Sequence, residues 1–205
     1  MPLTALVRQL QQVPLTGEVL ERSRRPDRLR LQGASRGARA LLASAMARCE
    51  GAPLLVVVPT LEEAGRWAAL LELMGWPTTQ LYPTSEGSPY EAFDPTSEIT
   101  WGQLQVLSEL VDEQDDGWQG VIVATERALQ PHLPPPAVLA DQCLTLRKGA
   151  SVDLEELAAN LTRLGYERVS TIEQEGSWSR RGDIVDLFPV SAELPVRLEF
   201  FGEEL

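Results

Sequence analysis

The 205-residue sequence predicts an α/β protein in two parts, a parallel-sheet domain over residues 1–138 and a small α+β domain over 139–205. Three observations lead there. Through the first part, apolar strand-like runs alternate with segments of helical periodicity, which implies right-handed crossovers and a parallel sheet. "LQPHLPPPAVL" then breaks the rhythm and puts a boundary near residue 138. Beyond it, one helical stripe stands among short alternating runs, the pattern of a helix laid on a small sheet.

Leu3, Leu6, Val7 and Leu10 recur at helical spacing, so a short amphipathic helix opens the chain. "LRLQ" (29–32) reads as a strand. Ala38, Leu41, Leu42, Ala45, Met46 and Cys49 form the apolar stripe of the next helix. "LLVVV" (54–58) is apolar throughout, as expected of a strand covered on both faces. Thr60 and Glu63 fit a capping box, and Gly75 and Pro77 close the helix it starts. "TQLYP" is a further strand. After the long loop "PTSEGSPYEAFDPTSE", Leu104, Leu107, Leu110 and Val111 mark a helix. "GVIVAT" (120–125), past the acidic turn "DEQDDG", is another buried strand. In the second part "CLTLRKG" reads as a strand and 153–164 as a helix with Leu154, Leu157, Leu161 and Leu164 inward. Three strands follow, "YERVSTIE", "DIVDLF" behind a turn at Arg181-Gly182, and "VRLEFF".

Composition narrows the chemistry. Cys49 and Cys143 lie far apart and outside any C-x-x-C pair, which disfavours a disulfide and disfavours zinc more. His132 is the only histidine and sits in the proline-rich connection, so a histidine-based triad has little support. No catalytic residues and no metal ligands emerge. The N-terminus lacks the apolar core of a signal peptide, and no apolar run approaches the ~20 residues that span a bilayer. The expected location is cytoplasmic, with no membrane partner. Net charge is −12, but residues 1–48 hold nine arginines against three acids. The acidic remainder opposes broad contact with nucleic acid. The stretch "RSRRPDRLR" is either a solvated run around Pro26 or a contact for an acidic partner.

One segment has the layout of a nucleotide site without its chemistry. "LRLQGASRGARALLASAMARC" (29–49) follows the strand–loop–helix frame of G-x-x-x-x-G-K-[ST], with Gly33 as the first glycine. Ala38 stands for the second glycine, Arg39 for the lysine and Ala40 for the hydroxyl. The chain's one lysine, Lys148, lies in the other domain. A guanidinium is no replacement for a compact ammonium, and an alanine methyl cannot hold Mg²⁺. The domain is therefore P-loop-NTPase-like with a degenerate loop in which Gly33 and Gly37 shape a turn, and no cofactor is expected.

A binding surface has better support. Alternation in "DIVDLF" puts Val185 and Leu187 on a core face and Ile184, Asp186 and Phe188 on the other, near Arg180 and Arg181. That second face suits a partner. Equally, Phe188 packs under a loop and the arginines are solvated.

Taken together, "LQGASRGARALLA", "SPYEAFDPTSEITWGQLQVLSEL" and "EGSWSRRGDIVDLFPVSAELPVRLEFFGEEL" resemble the N-terminal, UvrB-like region of the transcription-repair coupling factors (Mfd). The last is close to the shared pattern GEF-x-x-RGG-I-x-D-x-FP … P-x-R-x-E-F-F-x-D-E-I. Ser177-Trp178 departs from its Glu-Phe or Glu-Tyr, and Asp183 from a small residue. UvrB itself keeps a working ATP loop and a tyrosine-rich DNA-clamping hairpin, for which three tyrosines leave no provision. The resemblance implies that the second domain is UvrB-domain-2-like and binds the excision-repair protein UvrA. Arg181 matches the arginine before the family's turn glycine, with Arg168 and Arg180 flanking it on what should be one surface and Phe188 beside them. It further implies that this surface is covered by downstream domains of the parent protein. ATP and Mg²⁺ would then belong to a downstream DNA-translocating motor, and RNA polymerase and DNA would be reached only through downstream parts. A chain stopping at "FFGEEL" is expected to be a piece of something longer. The alternatives are a UvrB-type ATPase or DNA-binding domain with an atypical loop, and a stand-alone UvrB-like interaction protein.

Overall fold

The computed structural model describes residues 3–26, 29–84, 98–111, 118–130, 133–190, 192 and 194–205. Much of the Pro/Ser/Thr-rich loop with its "PY-x-x-F-x-P" segment, the acidic turn and His132 lie outside the described residues. The chain divides into two units, Met1–Ala92 with Gln114–His132, and Phe93–Glu113 with Leu133–Leu205.

The first unit holds α1 (Leu3–Gln11), α2 (Pro14–Ser23), α3 (Arg36–Glu50), β1 (Leu54–Val58), α4 (Leu61–Leu73), β2 (Thr79–Tyr82) and β3 (Val121–Thr125). The sheet order is β1-β3-β2, parallel throughout. The alternation of strand and helix predicts this, because a parallel neighbour requires a crossover. The central strand is the most buried of the three, and Val121 and Val123 are fully buried against residues of α1, α3 and α4 such as Val7, Ala40, Ala68 and Leu71. Capping fixes the helix starts. Ser35 accepts from Ala38 N at 3.3 Å and Thr60 from Glu63 N at 3.2 Å.

Four expectations change. "LRLQ" is no strand: among the described residues nothing pairs with it, Arg30 and Leu31 are exposed, and Gly33 (φ 74°) leads directly to the Ser35 cap. β1 is an edge strand covered on one face only, so Leu55 and Val57 are 56% and 46% exposed. The buried stripe of α3 is Ala40, Ser44, Ala45 and Ala47, while Ala38 and Cys49 face solvent. Small side chains there allow close helix approach, and Ser44 accepts a hydrogen bond from Trp76 Nε1 at 3.0 Å. α2 was not expected from the sequence; its buried residues are Thr16 and Val19.

The second unit holds α5 (Glu98–Val111), α6 (Pro136–Ala140), α7 (Leu154–Arg163), β4 (Glu167–Arg168), β5 (Ser177–Arg181), β6 (Ile184–Phe188) and β7 (Val196–Glu199). The sheet order is β4-β5-β6-β7, with β4–β5 parallel and the other pairs antiparallel. α7 lays Leu157 and Leu161 on Trp178, Val185, Leu187 and Phe200. Asp153 caps it, Oδ1 accepting from Glu155 N and Glu156 N at 2.7 and 2.9 Å. Val185 and Leu187 are buried, as the alternation of "DIVDLF" requires. "CLTLRKG" forms no strand; Leu146 joins the core edge from an irregular segment. β5 is the strand the sequence hides, since "SWSRR" has no apolar alternation to reveal it. "YERVSTIE" contributes only two strand residues.

Candidate functional site at the hairpin tip

β5 and β6 form a hairpin whose end pair is Arg181 and Ile184. Gly182 and Asp183 make the turn. Gly182 has φ 65° and Asp183 has none of that left-handed character, the type II′ pattern in which glycine takes the first central position. Arg180 Nε donates to Gly182 O at 3.0 Å and secures it.

The register decides which side chains share a face. Arg180 pairs with Val185 and Trp178 with Leu187, and Arg168 of β4 pairs with Trp178. These residues all face α7. Arg181, Ile184, Asp186, Phe188 and Arg197 lie on the opposite, outer face. The expectation that Arg168, Arg180 and Arg181 share one surface is therefore corrected. Period-two alternation separates neighbours 180 and 181, leaving Arg181 with Phe188 outside and Arg168 with Arg180 on the helix side.

The outer face carries an open groove of about 510 Å³, lined by Ser170, Thr171, Ile172, Ser179, Arg181, Asp186, Pro195, Val196 and Arg197. Arg181 Nη2 donates to Ser170 O at 3.0 Å, fixing the turn to the β4–β5 connection. Arg197 forms a two-pronged pair with Asp186, Nε to Oδ1 at 2.6 Å and Nη2 to Oδ2 at 3.0 Å. That hydrogen bond, with the charges of Arg197 and Arg181, holds the Asp186 carboxyl below its usual range against a desolvation that opposes it. Phe188 is half-buried. Sequence reasoning missed Arg197, although alternation in "VRLEFF" marks it; what it lacked was the β6–β7 register. On the helix side, Arg168 stacks 5.2 Å from the Trp178 ring centroid, and Arg180 Nη1 meets Glu155 Oε1 at 2.7 Å.

The loop at 33–40 is occupied by its own side chains. Arg39 Nε donates to Ala34 O at 3.0 Å. Arg36 pairs with Glu63 through Nε at 3.1 Å and Nη2 at 2.5 Å. Ala40 is fully buried in the core, and Gly37 lies within the first turn of α3 rather than in the loop. The cations nearest the loop are thus directed to a backbone carbonyl and a carboxylate.

Comparison with known proteins adds to this geometry. The family model described as the UvrB interaction domain matches residues 144–205. The chain is 36% identical over 209 residues to the transcription-repair-coupling factor of Mycobacterium tuberculosis (strain CDC 1551 / Oshkosh), covering 100% of this chain and 16% of that protein. It is 30% identical over 176 residues to that of Bacillus subtilis (strain 168), covering 85% of this chain and 15% of the relative. For Escherichia coli (strain K12) the identity is 28% over 186 residues, covering 86% and 15%. The chain therefore spans 15–16% of the length of these relatives. Among the described residues, no helix is long and apolar enough to cross a membrane.

Proposed function

The chain belongs to the transcription-repair-coupling factor family, in its UvrB-like N-terminal region, and we propose from that premise that it is the family's recruiting module for UvrA. The small unit docks UvrA in nucleotide excision repair, and the parent protein brings it to lesions where RNA polymerase has stalled. The ATP-driven translocation that releases the polymerase belongs to other parts of the parent protein, as do its contacts with polymerase and DNA. The first unit keeps an NTPase-like frame as a platform without phosphate chemistry. A distant part of the parent protein covers the docking surface until the motor engages.

One observation carries this reading, the arginine-lined groove at the hairpin tip inside the segment that matches the UvrB interaction domain. Arg181 is exposed at its end, held by Ser170 O, and the one carboxylate it shares that face of the strand pair with, Asp186, is already paired to Arg197. Arginine at the centre of an interface is a frequent hot spot, and truncating one commonly costs ~2 kcal/mol or more. Reversing the charge costs further, because acidic groups of the partner then face a like charge. Arg181→Glu is expected to abolish measurable UvrA binding in a calorimetric titration while leaving the melting temperature nearly unchanged. Val185→Asp is the contrasting variant: it buries an unpaired charge at a position 1% exposed and unfolds the small unit. Unchanged UvrA affinity in folded Arg181→Glu would place docking elsewhere.

A further inference from the structure

Resting on the recruitment reading, we infer that the recess on the helix side of the hairpin tip receives a carboxylate of the partner, and that Glu155 occupies its place beforehand. The recess measures about 280 Å³ and is lined by Glu155, Ala158, Arg168, Trp178, Arg180 and Gly182. Its walls are rich in donors and poor in acceptors. The Arg168 guanidinium lies on the Trp178 ring, and its side chain has no hydrogen bond or ion pair among the described residues. A guanidinium carries five N–H donors, so this one presents a complete fork to any ligand. Arg180 commits Nε to Gly182 O and Nη1 to Glu155 Oε1, and its remaining N–H groups are open. Trp178 Nε1 is buried and has no acceptor among the described residues.

Two guanidinium groups with open N–H donors favour an acceptor bearing negative charge, whose hydrogen bonds are charge-assisted on both sides. Glu155 is the acceptor at hand, yet its side chain is 84% exposed against 24% for Arg180. It reaches in from solvent, and an exposed pair of this kind is weak. A partner carboxylate that engages both guanidinium groups displaces it. The ligand is an acidic polypeptide rather than a nucleic acid. A phosphate chain entering here would run past Asp153, Glu155 and Glu156 on a molecule of net charge −12. With Arg181 and Arg197 on the outer face, the tip offers cations on both sides, so the partner straddles the turn.

The test uses the whole 205-residue chain and purified UvrA, with affinity read by titration. Glu155→Gln removes the internal competitor and should tighten binding roughly two- to fivefold, the range an exposed ion pair represents. Adding Arg180→Gln should erase that gain. Arg168→Gln should weaken binding by at least a similar factor with an unchanged melting curve. If Glu155→Gln binds no tighter, or the gain persists in the double variant, the carboxylate recess is overturned, while Arg181→Glu still abolishing binding leaves the recruitment reading intact. If the unaltered chain binds no UvrA, both fall.

Discussion

Asp186 stands between two guanidinium groups, and the direction of its shift fixes how its pair behaves with pH. Its carboxyl is held low chiefly by the hydrogen bond from Arg197. A carboxyl whose folded value lies below the unfolded one contributes stability that is present above about pH 4 and is lost as pH falls through the lowered value. The pair is open to solvent, with Arg197 60% exposed, so solvent screens it and its contribution is small. Asp186→Asn should therefore be slightly less stable than the unaltered chain at pH 7 in urea unfolding. The two stabilities should converge at a pH below the lowered value, where the native carboxyl also holds its proton. A difference of the same size at both pH values would refute the pairing as its cause.

At the level of elements, α7 positions the tip, because its first turn supplies Glu155 and its buried face supports Trp178. The Asp153 cap holds that turn. Asp153→Ala should lower stability by about 1 kcal/mol, measured by urea denaturation, with fraying at residues 154–156 seen in amide exchange. No loss would mean that packing alone sets the helix start. α4 and α7 were legible because caps and apolar spacing are local properties, as Thr60, Leu157 and Leu161 illustrate. β3 and β6 were legible because burial writes itself as apolar residues. β5 was not, since its ladder bonds are backbone interactions and its buried residues, Trp178 apart, are the polar Ser177 and Ser179. The same gap explains the split of the arginine site. Residues 180 and 181 are adjacent in sequence, and only the strand assignment reveals that they face apart. "LRLQ" failed for the converse reason: a β-like run becomes a strand only if a neighbour is there to pair with it.

For the whole molecule, the loop at 33–40 predicts that the chain binds no nucleotide. Calorimetry with Mg-ATP at millimolar concentration should show no saturable heat, given that Arg36 and Arg39 are engaged internally and Ala40 is buried. A micromolar dissociation constant would restore the ATPase alternative. The edge strand β1 carries a different consequence, a colloidal one. Its backbone edge, unpaired among the described residues, and the outward Leu55 and Val57 together form a template onto which another extended segment can add. What opposes this between copies is mutual repulsion at net charge −12. Repulsion of that kind acts over about 10 Å at 0.1 M salt and about 3 Å at 1 M, whereas the apolar attraction persists. The chain should stay dispersed in dilute buffer and cluster as salt is added, the reverse of ordinary salting-in. Light scattering across a salt series should show the apparent mass climbing, and Val57→Lys should keep it flat. An apparent mass indifferent to salt would mean that β1 is protected by more than charge.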